Sequence, residues 1–357
     1  MKTIKYSIFL WTCTTLLFVS NALAFDEVTK KISEKYNVSS SDKLNISNKY
    51  GKVDIYTWDK SEITVEITMK AWASSSSRAK DELDRITIKY GQSGNFITFE
   101  TQIAGNNVNI NNNRGFEINY VVNMPRKNAL KVYNKYGATF LDNFSGELDL
   151  STRYGQLRTK RLTGVSKNIE VAYGGIDSEE IEKGKIKISY SNNCKIRTGG
   201  NIELDKAYGN ITFDKIGSLQ VDIRYGELRI EETAEVVRGK LGYSSIKIKQ
   251  LTKSLVMEAR YGGDFNIEKV MKGFEKIELD GSYTSFDLAF EAGNTFDFEV
   301  NVAYNDFRNG ISEAQISKQI EANNSKEYVG YVGKKGGAKV IVSTRYGGVR
   351  FKTIKKQ

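Results

Sequence analysis

A tyrosine, usually followed by glycine, returns at near-constant spacing along most of this chain. Copies fall at Tyr136, Tyr154, Tyr173, Tyr190, Tyr208, Tyr225, Tyr243, Tyr261, Tyr283, Tyr304 and Tyr346, with an earlier one at Tyr50. From Tyr136 to Tyr261 the steps are 18, 19, 17, 18, 17, 18 and 18 residues; they then lengthen to 22, 21 and 42. A period of this size points to a repeat architecture, in which each unit buries its apolar face against the next.

Alignment on the tyrosine shows what each unit buries. Leu219, Val221 and Ile223 precede Tyr225 at alternate positions, as do Leu255, Met257 and Ala259 before Tyr261. Alternation of this kind is the mark of a half-buried strand, and the tyrosine continues the same inward-facing set. After the glycine the parity flips, and Leu228 with Ile230, Ile246 with Ile248 and Phe286 with Leu288 take the inward places. A two-residue hairpin and a stacked parallel coil both explain the flip. The hairpin needs positive φ at both turn residues and favours Asn-Gly or Asp-Gly. Here the pair is Tyr-Gly, varying to Tyr-Ser at 190 and 243 and Tyr-Thr at 283. The reading is therefore all-β: a right-handed parallel β-helix, or β-solenoid, of coils of about 18 residues. Glycine is expected to permit the bend. Tyr136, Tyr154, Tyr173, Tyr190, Tyr208, Tyr225, Tyr243, Tyr261, Tyr283 and Tyr346 are expected to fill the insides of the corners, their rings stacked about 4.8 Å apart. A buried column of this kind predicts a loss of about 3–5 kcal/mol for Tyr225→Ala.

Residues 1–24 read as an export signal: Lys2 and Lys5, the apolar run "YSIFLWTCTTLLFV", then Ala22-Leu23-Ala24 before Phe25. No other segment has the roughly 20 apolar residues of a membrane-spanning helix. Residues 25–130 read as a β-rich N-terminal section, with "SSSSRAKDELDRI" as a short helix near 74–86. Residues 131–357 read as the coils, interrupted by a loop near 309–337, and 25–357 as one continuous domain. The helix and the loop are expected to cover the two ends of the stack, whose open strand edges would otherwise aggregate.

The chemistry available is narrow. The chain has no histidine, which removes Ser-His-Asp and Cys-His catalysis and most zinc sites. Without the signal it keeps one cysteine, Cys194, so it can form no internal disulfide. In "YSNNCKIRT" a corner longer by one residue turns Cys194 and Ile196 inward, as small buried hydrophobes. The formal charge of +10 becomes +8 once Lys2 and Lys5 are removed, a modest excess toward polyanions. Arg153, Arg224, Arg260 and Arg345 each precede a corner tyrosine and are candidate polyanion contacts. Asp222 and Glu258 stand two residues before Arg224 and Arg260, which makes a solvated, locally neutral face the competing reading. Four residues past the tyrosines come Asp54, Arg158, Asp177, Arg229, Lys247, Asp287, Arg308 and Arg350. Those aspartates are too scattered to gather the six to eight oxygens of a calcium site. No cofactor or metal is expected. Trp58, Trp72, Phe140 and Phe265 could present a glycan surface, but packing is the expected use.

"AKDELDRITIKYGQSGNFITFET", then "INYVVNMPRKNALKVYNKYGATFLDNFSGELDLSTRYG", then Tyr-Gly coils to the last residues resembles the bacterial putative adhesins, exported β-solenoid proteins common in Bacteroidetes. The resemblance covers most of the chain after the signal. Members of that family usually carry Asn-Gly at the corner where this chain prefers Tyr-Gly. The resemblance implies an exported protein, periplasmic, secreted or on the outer surface, and brings no catalytic residues. The function read here is a non-catalytic cell-envelope scaffold or adhesin-like binding protein. Its partner would be a glycan or another envelope protein, not nucleic acid. A polysaccharide lyase or hydrolase on the same fold is the alternative, and self-association through an open end is a third reading.

Overall fold

The computed structural model describes residues 25–105, 110, 111 and 113–354. The expected export signal, 1–24, lies outside the described residues, as does part of the polar loop 104–115. Regular structure is almost entirely β, with one helix among the described residues, Ser76–Asp84.

Each unit supplies a leading strand that runs into the tyrosine and a trailing strand that leaves it. Leu148–Arg153 and Gln156–Leu162 flank Tyr154; Lys167–Ala172 and Gly175–Ser189 flank Tyr173. Leading strands pair in parallel with leading strands, so Leu150 lies between Val132 and Ile169. Trailing strands do the same, with Ile246 between Leu228 and Phe265. The hairpin alternative for the Tyr-Gly corner is thereby excluded. Constant register turns every inward position into a row along the stack, and Leu150, Ile169, Leu157, Ile176, Leu228 and Ile246 are wholly buried. Burial of each such side chain stabilises by about 1.5–3 kcal/mol, against the entropy of ordering the chain.

At the corners the structure departs from the expectation. All twelve corner tyrosines have φ between 49° and 61°, the left-handed region. One left-handed residue interrupts the alternation of a strand, so the ring that period-two counting places inside swings outside. The corner tyrosines from Tyr136 to Tyr346 are 40–55 % exposed, and the expected internal column is a surface feature. Glycine also does a different job. The bend is made by the tyrosine, while a Cβ on Gly155 would lie 1.9 Å from the Gly137 carbonyl oxygen of the preceding coil. Glycine is there because neighbouring backbones nearly touch. Where serine or threonine replaces it, the hydroxyl becomes a rung between coils. The Gly174, Gly226 and Gly262 N–H groups donate to Ser191 Oγ, Ser244 Oγ and Thr284 Oγ1 at 3.3, 3.1 and 2.9 Å.

Both ends of the stack are elaborated. Lys43–Lys49 and Val53–Trp58 already form a winding, paired in parallel with Ala129–Lys135 and Thr139–Leu141. The segment between these windings folds outward over the first one. Phe96–Ile103 and Gly115–Pro125 add parallel strands, and Ile86–Ser93, Glu62–Ala73 and Asp26–Asn37 extend them antiparallel. The helix packs on this antiparallel layer through Ala79, Glu82 and Leu83, its N-cap Ser75 Oγ accepting from the Arg78 N–H.

At the other end the expected loop near 309–337 is two strands, Ala314–Ala322 and Ser325–Val332. The second pairs antiparallel with Phe296–Ala303. Chain order and stacking order also part company here. Ala338–Arg345 lies between Lys276–Ser282 and Phe296–Ala303, parallel to both. The winding made last is wedged between two made before it.

Candidate functional site

The most continuous surface feature is the ridge of corner tyrosines. In stacking order the rings run from Tyr50 through Tyr136 and on to Tyr283, then Tyr346 and finally Tyr304. Adjacent centroids are 4.6–5.1 Å apart and ring planes within 22° of parallel. The left-handed backbone points each ring the same way, and the strand spacing sets the step. The ladder is therefore roughly 50 Å long.

Its chemistry follows from what stacking uses up. A sugar ring docks on an aromatic face, and here each inner ring has both faces against its neighbours. What remains is ring edges and a row of phenol hydroxyls, each able to donate and accept. The Tyr50 end is closed by Phe116, edge-on at 5.6 Å. Burial, with the neighbouring Tyr136 hydroxyl, raises the Tyr50 pKa, and nearby Lys135 opposes the rise.

Three of the four candidate arginines beside the ridge are neutralised. Arg153 pairs with Glu170 at 2.7 Å, Arg224 with Asp205 at 3.2 Å, and Arg260 with Asp280 at 2.8 Å. The carboxylate lies on an adjacent coil in each case. Arg345 instead lies over the Tyr304 and Tyr346 rings, 5.3 and 5.1 Å from their centroids, with no carboxylate partner among the described residues. Lys135 similarly covers Tyr136 at 4.7 Å. The ridge is thus edged by cations at two places, one near each end.

Cys194 and Ile196 face inward as expected, Cys194 4 % and Ile196 0 % exposed. Burial raises the Cys194 thiol pKa and makes the thiolate scarce. Trp58 and Trp72 donate their indole N–H groups to the Glu62 and Asn111 carbonyl oxygens, and Phe265 is buried.

Two buried lysines escape the repeat alignment of the sequence. Lys167 Nζ donates to the Gly146, Thr163 and Val165 carbonyl oxygens at 2.8, 2.7 and 2.7 Å. Lys206 Nζ donates to the Ser191 carbonyl oxygen at 3.0 Å. Burial pulls the Lys167 ammonium down to about 8 and lowers Lys206 as well. A signal for both exists in the sequence, since Lys206 stands two residues before Tyr208 and Lys167 six before Tyr173, both inward places. These ammonium groups tie together backbone carbonyl oxygens of the turns. They are structural.

No family model and no curated protein matches the chain. Solved structures do. A putative adhesin from Parabacteroides merdae is 11 % identical, with 90 % of this chain and 96 % of that one covered, at a TM-score of 0.36. A putative adhesin from Bacteroides fragilis is 11 % identical, with 71 % and 94 % covered, at 0.35. A putative cell adhesion protein from Clostridium sporogenes is 12 % identical, with 91 % and 100 % covered, at 0.25. The chain is similar over most of its length to bacterial proteins described as putative adhesins.

Proposed function

We propose that the chain is an exported, right-handed parallel β-solenoid that acts without catalysis at the bacterial cell envelope, as a scaffold that binds an extended glycan or another envelope protein. On this reading residues 1–24 are the export signal and 25–357 one continuous unit. The observation that carries it is the unbroken tyrosine ladder, whose hydroxyl row repeats at the coil spacing over its whole length. A polymer laid along such a row meets many equivalent weak donors and acceptors, and its grip comes from their number. The cations at Lys135 and Arg345 favour an anionic polymer, with Arg153, Arg224 and Arg260 as secondary contacts that exchange their carboxylate partners.

The test is a glycan array with the mature protein and with a triple variant, Tyr173→Asn, Tyr208→Asn, Tyr243→Asn. Asparagine tolerates the left-handed corner, so the variant keeps its fold while the hydroxyl row is broken. Loss of binding with unchanged circular dichroism is expected. Release of reducing ends or unsaturated products from a bound polysaccharide would replace the scaffold by an enzyme. Recovery of the protein with residues 1–24 intact in the cytoplasm would remove the envelope from the reading.

A further inference from the structure

A second feature lies on the outer face of the trailing strands, near the wedged winding. Asp264–Val270, Ser285–Glu291, Val349–Ile354 and Phe307–Gly310 run side by side in parallel. One outward row crosses them: Asn266, Asp287, Arg350, Arg308, each the register partner of the next. The row lines an open groove of about 470 Å³, with Asp264 and Asp306 also on its wall.

Elsewhere on this surface many cations meet a carboxylate on an adjacent coil, as in Arg197–Asp177 at 2.8 Å, Lys195–Asp214 at 3.0 Å and Lys247–Glu268 at 2.7 Å, although Arg158 has no ion pair among the described residues. In the groove the pattern breaks. Arg308 and Arg350 are register partners on adjacent strands, and like charges placed opposite one another destabilise a sheet. The Arg308 side chain has no ion pair or hydrogen bond among the described residues. Arg350 reaches one carboxylate, Asp287, at 3.5 Å, and that carboxylate is also held by Lys352 at 3.1 Å. Most of the donors on two guanidinium forks are thus left uncommitted. Farther along the same row the Asn266 Oδ1 is buried without a partner.

Uncommitted guanidinium forks suit a carboxylate, which they bind bidentately. The carboxylates on the same wall, Asp264, Asp287 and Asp306, are acceptors that suit hydroxyl donors and would repel a ligand made only of anionic groups. The four strands span about 14 Å, more than one sugar ring. We propose that this groove binds an acidic oligosaccharide, its carboxylate on Arg308 and Arg350 and its hydroxyls on Asp264 and Asp287. The site is separate from the tyrosine ladder and stands or falls independently of it.

Titration calorimetry of the mature protein with trigalacturonate, with its methyl ester and with sialyllactose tests the assignment. At least one of the two acids should bind, the ester about tenfold or more weaker than its acid. Arg308→Gln and Arg350→Gln should each weaken the acid at least about tenfold. Arg308→Gln relieves a repulsion, so its thermal midpoint should be equal to or above that of the parent, which separates lost binding from lost folding. Binding of neither acid, equal binding of acid and ester, or full affinity in both variants would overturn the proposal. Displacement by equimolar inorganic phosphate would reduce the groove to a general anion cradle and overturn the saccharide assignment.

Discussion

A tyrosine held in the left-handed region is less stable than one in an extended strand by roughly 1–2 kcal/mol. Its recurrence at twelve corners needs an offset, and stacking supplies it at about 0.5–1.5 kcal/mol per pair. Tyr225 has neighbours at 5.0 and 5.1 Å and is 47 % exposed. Tyr225→Ala loses both contacts and keeps the unfavourable φ, so it should cost about 1–3 kcal/mol in urea unfolding, less than a buried aromatic would. Tyr225→Asn should cost less than alanine, because asparagine accepts that φ; equal losses would refute the role given to the backbone. The adjacent glycine is the more sensitive residue. A Cβ on Gly226 would sit 2.0 Å from the Gly209 carbonyl oxygen, so Gly226→Ala should cost about 3 kcal/mol or more, as overpacking against backbone that cannot yield. Lys167 has its own pH signature. Folded, its ammonium loses its proton at about 8, whereas the unfolded chain holds that proton to the ordinary 10.5. Between those values the unfolded state binds more protons, so the unfolding free energy rises with pH. Relative to Lys167→Met, the parent should gain stability from about pH 8 to 10.5 and show a flat difference below; a difference that falls across that window would contradict the assignment.

At the scale of strands, the repeat was legible because parity survives substitution: Leu219, Val221, Ile223 and Leu228, Ile230 mark inside and outside whichever apolar residue is used. The direction of the tyrosine was not legible, since alternation counting assumes extended backbone throughout and one positive φ reverses the side on which a ring emerges. The two ends were less legible for another reason. "ISEAQISKQIEA" has no strong alternation, and its strand, Ala314–Ala322, is exposed along nearly its whole length; pairing alone holds it. Nor could spacing reveal that Ala338–Arg345 is flanked on both sides. That position makes a prediction for hydrogen exchange. Amides of 340–344 should exchange as slowly as those of 255–259 in the middle of the stack, whereas 316–320, in an exposed edge strand paired on one side only, should exchange faster. Rapid exchange at 340–344 would mean the wedge is open in solution.

Taken whole, the molecule is a stack in which many outer charges are matched between neighbouring coils, and most of those pairs are exposed, for instance Lys185 with Glu203 at 65 and 57 %. Exposed pairs contribute little each. Raising salt from 0.1 to about 1 M, which shortens the screening length to about 3 Å, should therefore move the thermal midpoint by only a few degrees. A collapse of stability would show that charge, not the buried rows, holds the coils together. The candidate site was legible in part. Arg308, Arg350 and Asp287 fell out of the repeat as outward residues, but that they adjoin one another depends on the swap of stacking order, which no period in the chain encodes.

The swap also bears on how such a chain could be made. Coils that pile up in the order of synthesis can each settle as soon as they emerge. Here the winding of 296–310 has no partner on the side that faces the stack until 338–354 have been synthesised and threaded beside it. A product released early would keep two raw strand borders facing each other across a missing layer. Closure of the far end therefore rests on its last strands, without which the Lys276–Ser282 border stays open to association with another chain.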